Sequence, residues 1–291
     1  MLRNRVRKSF RKLKPLFEQR NIGAFRLYDR DIPEIRAAVD WVEGHLVIAE
    51  FARSQTGPSW LEQMARAVAE ELEVPWERVH LRTRRTRPGE GERYSKLAAT
   101  GERLQVRERD LRFWVNLDDY LDIGLFPDHR ETRALVRAEA SGADFLNLFS
   151  YTGSFTCAAM KGGARSSLSV DASAAYSRWA EENLALNGLG GEVLRSEVDA
   201  FLETTQRTFS LCVLDPPSFS DRGGSFDVQR DHKRLIERTL RVLRPGGVLW
   251  FSTNHQRFEP QLDGLQAVEL TAKTVPVDYR NSPHRSFRMI R

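Results

Sequence analysis

The first twenty residues carry apolar side chains at helical spacing. The apolar positions recur every three or four residues, which places them on one helix face: Leu2, Val6, Phe10, Leu13 and Phe17. The opposite face is polar. The pattern predicts an amphipathic N-terminal helix whose apolar stripe packs permanently on the rest of the protein.

The next hundred or so residues mix short strand-like and helical segments. Strands are predicted at residues 25–28, 46–51 and 79–83, and a hairpin at residues 103–107 and 111–115. A helix is expected to start at Ser59, a residue type that favours the N-cap position. We therefore predict a small N-terminal α+β domain over residues 1–118.

Beyond residue 144 the pattern changes to short apolar strands that alternate with helices. Strands are predicted at residues 145–149, 167–170, 211–214 and 248–252, and an antiparallel pair at 268–271 and 287–290. Helices are predicted at residues 172–186 and from Arg230 to a stop at Pro245-Gly246-Gly247. This alternation is typical of an α/β fold with a doubly wound, Rossmann-like parallel sheet, here over residues 119–291.

Composition narrows the class of protein. The chain is 41% hydrophobic and 29% charged, as in an average globular protein. No apolar run approaches the ~20 residues of a membrane-spanning helix. The two cysteines, Cys157 and Cys212, exclude a disulfide scaffold and a multi-cysteine zinc site. We expect a cytoplasmic protein with no membrane partner and no metal.

Positive charge is concentrated in two segments. Residues 1–20 hold eight Lys or Arg and one Glu, whereas the whole chain has a net charge of +5. A second basic stretch runs from Arg82 to Lys96. Such clusters favour binding to a polyanion such as nucleic acid. On charge alone, a merely solvated helix face explains them equally well.

Candidate ligand-binding residues follow the predicted strands. Ligands of doubly wound sheets bind beyond the carboxyl ends of the strands. The loop after the first strand contains Gly153 but lacks the three-glycine pattern of a dinucleotide-binding turn. Asp171, at the end of the second strand, could accept both hydroxyls of a ribose. Asp199, at the end of a third-strand region between residues 186 and 211, suits the exocyclic amine of an adenine. A nucleoside-containing cofactor is therefore indicated.

The fourth strand ends in the sequence Asp215-Pro216-Pro217-Ser218-Phe219. Two consecutive prolines fix the backbone and leave carbonyl groups unpaired. Together with Asp215, these carbonyl groups form a row of hydrogen-bond acceptors for the donor edge of a nucleobase. Phe219 could stack on that base. An isolated Asp-Pro is more often an ordinary turn, but the acidic residue after the second strand disfavours that interpretation here.

Longer motifs give the chain a family resemblance. They lie at residues 25–29, 114–117, 124–130, 144–153, 163–165, 215–217 and 226–232. Across these motifs, the chain resembles the class I S-adenosylmethionine-dependent methyltransferases. More narrowly, it is similar to the guanine-N7 half of the bifunctional 23S ribosomal RNA methyltransferases. The resemblance implies methylation of N7 of a guanine in 23S rRNA, naked or in a pre-50S particle. It also implies a separate guanine-N2 methyltransferase protein, since the fused enzymes carry that module.

The resemblance also assigns roles to residues. Arg130 would contact the carboxylate of S-adenosylmethionine, with a salt bridge to Asp128 or Asp122 as the alternative. Asp171 would bind the ribose and Asp199 the adenine. The methionine part would lie on the loop residues Asn147, Phe149, Ser150, Tyr151, Thr152 and Gly153.

The same assignment gives a target-base site and an RNA-binding surface. The catalytic residues would be Asp215, Pro216, Pro217 and Phe219. Guanine N7 needs no deprotonation, so Asp215 would orient the base rather than act as a general base. His232 could be a base or a structural residue, and Asn254 could bond the target base or cap a turn. A glycine-bearing loop that holds Gln229 to His232, after Gly223 and Gly224, could close over substrate. RNA phosphates would contact Arg5, Lys8, Arg11, Lys12, Lys14, Arg84, Arg85 and Arg87.

Other functions remain as alternatives. Cytosine-C5 methylation needs a cysteine nucleophile, and none follows Asp215 or Ser252. Methylation of a guanine or adenine exocyclic amine stays open, because the row of acceptors also suits an amine. A nicotinamide-dependent dehydrogenase would need the missing three-glycine turn. A non-catalytic RNA-binding protein is disfavoured by the complete set of loop and acidic residues.

Overall fold

The computed structural model describes residues 1–51, 57, 59–84, 97–220 and 226–291. The chain divides into two compact units. One comprises Met1–Pro127 and Val277–Asn281, and the other Asp128–Pro276 and Ser282–Arg291. A short segment near the C-terminus therefore belongs to the N-terminal unit.

The first unit is a small α+β structure. Its elements are α1 (Leu2–Gln19), β1 (Ala24–Asp29), β2 (Ala37–Val42), β3 (His45–Phe51), α2 (Trp60–Leu72), β4 (Val79–Arg84), β5 (Leu104–Glu108) and β6 (Leu111–Val115). Strands β1 to β4 form a sheet in that order, in which β4 runs parallel to β3 and the other pairs are antiparallel. Strands β5 and β6 form the expected hairpin. Strand β2 is absent from the sequence prediction.

Helix α1 is held on this unit by its apolar stripe. Leu2, Val6, Leu13 and Phe17 are buried in the core that the sheet and α2 share. Phe10 lies at the rim, with its ring centroid 4.8 Å from that of Trp41. The predicted packing of the N-terminal helix is confirmed, and its polar face remains outside the core.

The second unit is built on a seven-stranded mixed sheet. Its elements are α3 (Arg130–Glu139), β7 (Asp144–Leu148), α4 (Ser154–Lys161), β8 (Ser166–Asp171), α5 (Ala174–Leu186), β9 (Glu192–Arg195), α6 (Val198–Thr204), β10 (Phe209–Leu214), β11 (Phe219–Ser220), β12 (Phe226–Asp227), α7 (Val228–Arg241), β13 (Leu243–Thr253), β14 (Gln266–Glu269), α8 (Thr271–Thr274) and β15 (Arg285–Ile290). The strand order is β14-β15-β13-β10-β7-β8-β9.

Five neighbouring strands of this sheet are parallel, in the spatial order β13-β10-β7-β8-β9. Strand β15 pairs antiparallel with β13, and β14 pairs antiparallel with β15 at the edge of the sheet. The predicted α/β fold with a Rossmann-like sheet is confirmed. Because chain order jumps between β7 and β10, the carboxyl ends of these two strands flank the position where such sheets bind ligands. No helix in the part of the chain described above is long and apolar enough to cross a membrane.

Two predicted boundaries are wrong. The segment Pro245-Gly246-Gly247 does not end a helix, because α7 ends at Arg241 and this segment lies inside β13. In the pairing of β13 with β10, Phe209 lies opposite Leu243 and Leu211 opposite Val248. The proline and the two glycines therefore lie in an irregular stretch of the strand. Thr271, predicted as strand, begins α8.

Candidate active site

The loop after β7 has an unusual backbone. Phe149, Tyr151 and Gly153 have φ angles of +56°, +49° and +75°. The left-handed region is disfavoured for residues with a Cβ atom, and such strain concentrates at functional sites. The backbone N–H of Ser150 donates to Val170 O at 3.0 Å, which holds the loop on the end of β8.

Gly153 lets the loop approach α5 closely. A Cβ atom at this position would lie 2.9 Å from Ala180 Cβ, closer than real Cβ atoms come. Next to it, Thr152 O accepts a hydrogen bond from Asn183 Nδ2 at 2.8 Å. The loop that was predicted to hold a cofactor is therefore held on α5 by close packing and a hydrogen bond.

Side chains of the loop differ in where they lie. Asn147 is buried, and its Nδ2 donates to Thr156 Oγ1 at 2.9 Å. This side chain supports the loop from the protein interior. Ser150 is also buried, but its hydroxyl makes no hydrogen bond within the described residues. A buried polar group without a partner is rare and points to a ligand that satisfies it.

Asp171 connects three parts of the site. Its Oδ2 accepts a hydrogen bond from the Tyr151 N–H at 2.9 Å, and its Oδ1 accepts one from the Ser173 N–H at 2.8 Å. Ser173 is the N-cap of α5. A carboxylate can accept about four hydrogen bonds. Asp171 can therefore hold the loop and also accept the hydroxyls of a ribose.

The other two predicted cofactor contacts have charged neighbours within the protein. Asp199 does not end a strand, because β9 ends at Arg195 and Asp199 lies in the first turn of α6. Its carboxylate pairs with Arg238 at 2.5 Å. Arg130, the first residue of α3, is fully buried, with Nε 3.7 Å from the Glu131 carboxylate. Both roles stay predictions, and the adenine would have to share Asp199 with Arg238.

The carboxyl ends of β10 and β13 bring the predicted target-base residues together. Asp215 Oδ1 accepts a hydrogen bond from Ser252 Oγ at 2.6 Å. Pro216 is buried and Pro217 half-buried, whereas Phe219 is 45% exposed. The Ser218 hydroxyl donates to Oδ1 of Asn254, which is exposed. The site therefore presents a held carboxylate, an amide and an accessible aromatic ring on adjacent strand ends.

A histidine pair beside Asp215 was not predicted as part of the site. His129 Nε2 lies 3.7 Å from Asp215 Oδ2, and its ring stacks on that of His284 with centroids 4.0 Å apart. His284 Nδ1 lies 3.2 Å from Asp128 Oδ2. The nearest sequence signal is residues 128–130 (Asp-His-Arg), which the family resemblance includes.

Asp128, His129 and His284 each offer a ligand atom, and these atoms lie within 4.8 Å of one another. Imidazole lone pairs lie in the ring plane, and the two rings are only 16° from parallel. Stacked rings cannot both direct a lone pair at one ion. The geometry therefore suits contacts of the two imidazoles with the Asp215 and Asp128 carboxylates more than metal binding.

His232 is placed inside the protein. It is fully buried, its Nε2 accepts from the Gln261 N–H at 2.9 Å, and its Nδ1 lies 2.9 Å from Val228 O. Both nitrogens are thus used by the backbone, which favours the structural interpretation over a general base. The prediction that Gln229 to His232 lie in a loop that closes over substrate is wrong, because these residues form the first turns of α7. Gly223 and Gly224, which precede them, lie outside the described residues.

The two cysteines are core residues. Both are buried, and burial raises the pKa of Cys157 to about 12 and the pKa of Cys212 well above its usual value. A nucleophilic cysteine needs a lowered pKa and access to substrate. The structure therefore weighs against cytosine-C5 methylation by these thiols.

The predicted RNA-binding side chains fall into three groups: those that make no ion pair within the described residues, those that pair with an acidic residue, and those that lie outside the described residues. Lys8, Arg11 and Lys12 are exposed on α1 and make no ion pair within the described part of the chain. Arg5 pairs with Asp31. Lys14 lies 3.7 Å from Glu18 and over the Phe10 ring, and Arg84 pairs with Asp122 at 2.8 Å. Arg5 and Lys14 therefore have acidic neighbours that compete with phosphates, and the expectation that all five helix cations contact phosphates stays a prediction.

In the second basic stretch, Arg82 is buried and its guanidinium donates to the Leu117 and Tyr120 carbonyls. It is a structural residue. Arg85 and Arg87 lie outside the described residues.

Comparison with known proteins decides the family. Residues 24–280 match the family model described as S-adenosylmethionine-dependent methyltransferase. The chain belongs to this family. Its cofactor is S-adenosylmethionine, and the strained loop, the Ser150 hydroxyl and Asp171 fit a site for it.

This methyltransferase is similar to two curated proteins named ribosomal RNA large subunit methyltransferase K/L. It is 40% identical to the protein from Magnetococcus marinus over 99% of the chain, and 41% identical to that from Allochromatium vinosum over 97%. The chain spans only about two fifths of their length, 42% and 41%.

Solved structures agree on the fold. A protein described as a methyltransferase, complexed with SAH, superposes over 100% of this chain and 81% of its own with a TM-score of 0.78 at 21% identity. A SAM-dependent methyltransferase from Streptococcus mutans gives 0.78 at 20% identity, with the same coverage. A tRNA m1G37 methyltransferase from M. jannaschii gives 0.58 at 14% identity, over 98% of this chain and 77% of its own.

Proposed function

We propose that this methyltransferase transfers a methyl group to N7 of a guanine in 23S ribosomal RNA. The observation that carries the proposal is the Asp215-Pro216-Pro217 segment at the end of β10, with its carboxylate held by Ser252. Support for an rRNA substrate comes from the relatives, whose printed name is ribosomal RNA large subunit methyltransferase K/L.

Guanine N7 carries an in-plane lone pair, so the reaction needs no proton removal from the nucleophile. S-adenosylmethionine, when bound, supplies a methyl group that is already activated on sulfur. The protein's task is then alignment, which can account for much of a rate enhancement. Asp215 accepts a hydrogen bond from the N1–H or N2–H edge, and Phe219 stacks on the base.

The target base must leave its helix to reach this site. N7 lies in the deep, narrow major groove of A-form RNA, which side chains cannot reach. Extruding a base costs a few kcal/mol, which contacts to the flanking backbone can offset. We assign that role to the N-terminal domain, whose exposed Lys8, Arg11 and Lys12 would contact phosphates. The guanine-N2 reaction would belong to a separate protein or module.

Methylation of an exocyclic amine is a second candidate, favoured by one observation. Such a reaction releases a proton, and Asp215 faces the His129 imidazole at 3.7 Å. The Asp215 carboxylate could take up that proton. This alternative keeps the same cofactor and the same target-base residues, so only the product distinguishes it from N7 methylation.

The deciding experiment is product analysis. The protein is incubated with isotopically labelled S-adenosylmethionine and either naked 23S rRNA or pre-50S particles, and the nucleosides are separated by mass spectrometry. We expect labelled 7-methylguanosine. Labelled N2-methylguanosine or N6-methyladenosine would show that the enzyme methylates an exocyclic amine instead of guanine N7. No label in either rRNA sample, with normal SAH binding, would exclude the rRNA substrate.

A further inference from the structure

The His129 ring is enclosed on several sides. His284 stacks on one face at 4.0 Å, and Phe155 contacts it edge-on at 5.7 Å. Only 5% of the residue is exposed. These three residues come from distant parts of the chain: His129 precedes α3, His284 precedes β15, and Phe155 lies in α4. A ring held this way has little freedom to rotate.

Hydrogen bonding indicates which ring nitrogen carries the proton. His129 Nδ1 lies 3.4 Å from Thr132 Oγ1, and Nε2 faces Asp215 Oδ2 at 3.7 Å. An ionised carboxylate can only accept, so the side facing Asp215 favours the hydrogen on Nε2, and the Thr132 hydroxyl then donates to Nδ1. The single N–H of a neutral His129 then points at the Asp215 carboxylate.

The surroundings keep this ring neutral. Burial, His284 and Arg133 lower the pKa of His129, Asp215 and Asp128 oppose them, and the resulting pKa is about 4. The imidazole therefore acts as a fixed dipole beside Asp215 at neutral pH, and Ser252 holds the other carboxylate oxygen at 2.6 Å.

We propose that His129 is a positioning residue for Asp215. Ser252 donates to Oδ1 at 2.6 Å and His129 Nε2 lies 3.7 Å from Oδ2, so the carboxylate is flanked on two sides and its rotation is restricted to a plane in which it can accept from the target base. The inference rests on the proposed role of Asp215 in binding that base. His284 and Asp128 act one step further away, because they hold the His129 ring.

The first test needs no RNA. Long-range proton–nitrogen NMR on ¹⁵N-histidine-labelled protein, with His129 assigned through His129→Gln, reports the tautomer and the pKa of this ring. We expect a neutral ring protonated on Nε2 between pH 6 and 8, a range chosen around neutrality. Asp215→Asn should lower the pKa of His129 further, because it removes a neighbouring negative charge. A His129 spectrum and pKa unchanged in Asp215→Asn would overturn the pairing.

The second test measures turnover on the RNA substrate and SAH affinity. His129→Ala should lower kcat by at least tenfold with SAH affinity within twofold, since misplacing a group by ~1 Å can cost a hundredfold. His129→Gln restores an N–H donor and should recover part of the loss. His232→Gln is the matched control, a buried histidine bonded to backbone groups, and should keep wild-type kcat when folded.

The outcomes separate the inference from the proposed function. Wild-type kcat in His129→Ala, with a strong loss in Asp215→Ala, overturns the positioning role alone. Wild-type turnover in Asp215→Ala removes the base-binding role on which the inference rests. Stoichiometric Zn²⁺ binding that is lost in both His129→Gln and His284→Gln would identify a metal site and also overturn the positioning role. If His129→Ala fails to fold, the NMR result and His129→Gln decide.

Discussion

The Asp171 carboxylate accepts a hydrogen bond at 2.9 Å from the backbone N–H of Tyr151, a residue with a φ of +49°. This single contact joins the end of β8 to the strained loop after β7. The carboxylate compensates part of the cost of the left-handed backbone, which is about 1–3 kcal/mol for such residues. A ligand at this edge of the sheet therefore meets a loop and an acid that are already fixed relative to each other.

Asp171→Ala should weaken S-adenosylmethionine binding at least tenfold. Two charge-assisted hydrogen bonds to ribose hydroxyls are worth roughly 1.5–3 kcal/mol each, and ~1.4 kcal/mol is a factor of ten. Asp171→Asn keeps one acceptor oxygen and should lose less. Calorimetric titration with SAH on both folded variants measures the effect, and unchanged affinity in Asp171→Ala would remove this residue from the site.

Asp215→Ala should abolish turnover while SAH affinity stays nearly intact, because its proposed contact is with the target base. Ser252→Ala removes the hydroxyl that donates to Oδ1. It should lower turnover by about tenfold, since hydrogen bonds to charged groups are worth roughly 1.5–3 kcal/mol. Single-turnover methylation measures both. A variant that loses cofactor binding and still methylates at saturating cofactor would reverse the assignment.

The sequence was sufficient for the large sheet but not for every strand. Buried parallel strands read as mainly apolar runs, so β7 and β10 could be predicted. Strand β8 alternates serine with Leu168 and Val170 and was predicted from its place between two helices. Strand β2 was missed because Asp40 interrupts its run of apolar residues. The reason for a carboxylate at this position appears only in the structure, where Arg26 Nε on β1 donates to it at 2.8 Å. The helix stop predicted at Pro245-Gly246-Gly247 failed because tertiary pairing accommodates the segment within β13.

Site residues were predictable where function follows strand order. Asp171 and Asp215 each follow a strand, and the rule for ligand sites in α/β sheets places them at one edge. The contact between His129 and His284 depends instead on how β15 returns beside β13. No spacing along the chain reports that return. Likewise, the pairing of Arg5 with Asp31 is visible only once α1 lies on the sheet.

The low pKa of His129 predicts a pH dependence of stability. Its folded-state pKa is about 4 against an ordinary value of 6.5. Between these values the unfolded chain binds more protons at this residue than the folded chain, so this contribution to the free energy of unfolding falls as pH decreases through that window. Urea unfolding at pH 7.5 and pH 5 should show a smaller loss in His129→Gln than in wild type, with both pH values chosen to bracket the ordinary histidine pKa. An equal loss in both proteins would show that His129 already titrates normally in the fold.

The exposed basic face of α1 gives the last prediction. Lys8, Arg11 and Lys12 lie on the polar side of a helix whose apolar side is buried, so reversing their charge should leave the first unit folded. Each phosphate contact releases condensed counterions, which makes RNA affinity fall by roughly 0.7–0.9 log units per log unit of salt. The triple variant Lys8→Glu, Arg11→Glu, Lys12→Glu should therefore bind 23S rRNA more weakly and with a flatter salt dependence.

A matched control separates this effect from net charge. The triple variant Lys161→Glu, Arg241→Glu, Lys273→Glu changes three exposed cations of the second unit by the same amount. It should keep the wild-type salt slope, and both variants should bind SAH normally, because none of the six residues lies in the cofactor loop. If the α1 variant retained wild-type affinity and slope, its basic face would be only a solvated surface, because phosphate contacts cannot survive reversal of the cations that make them.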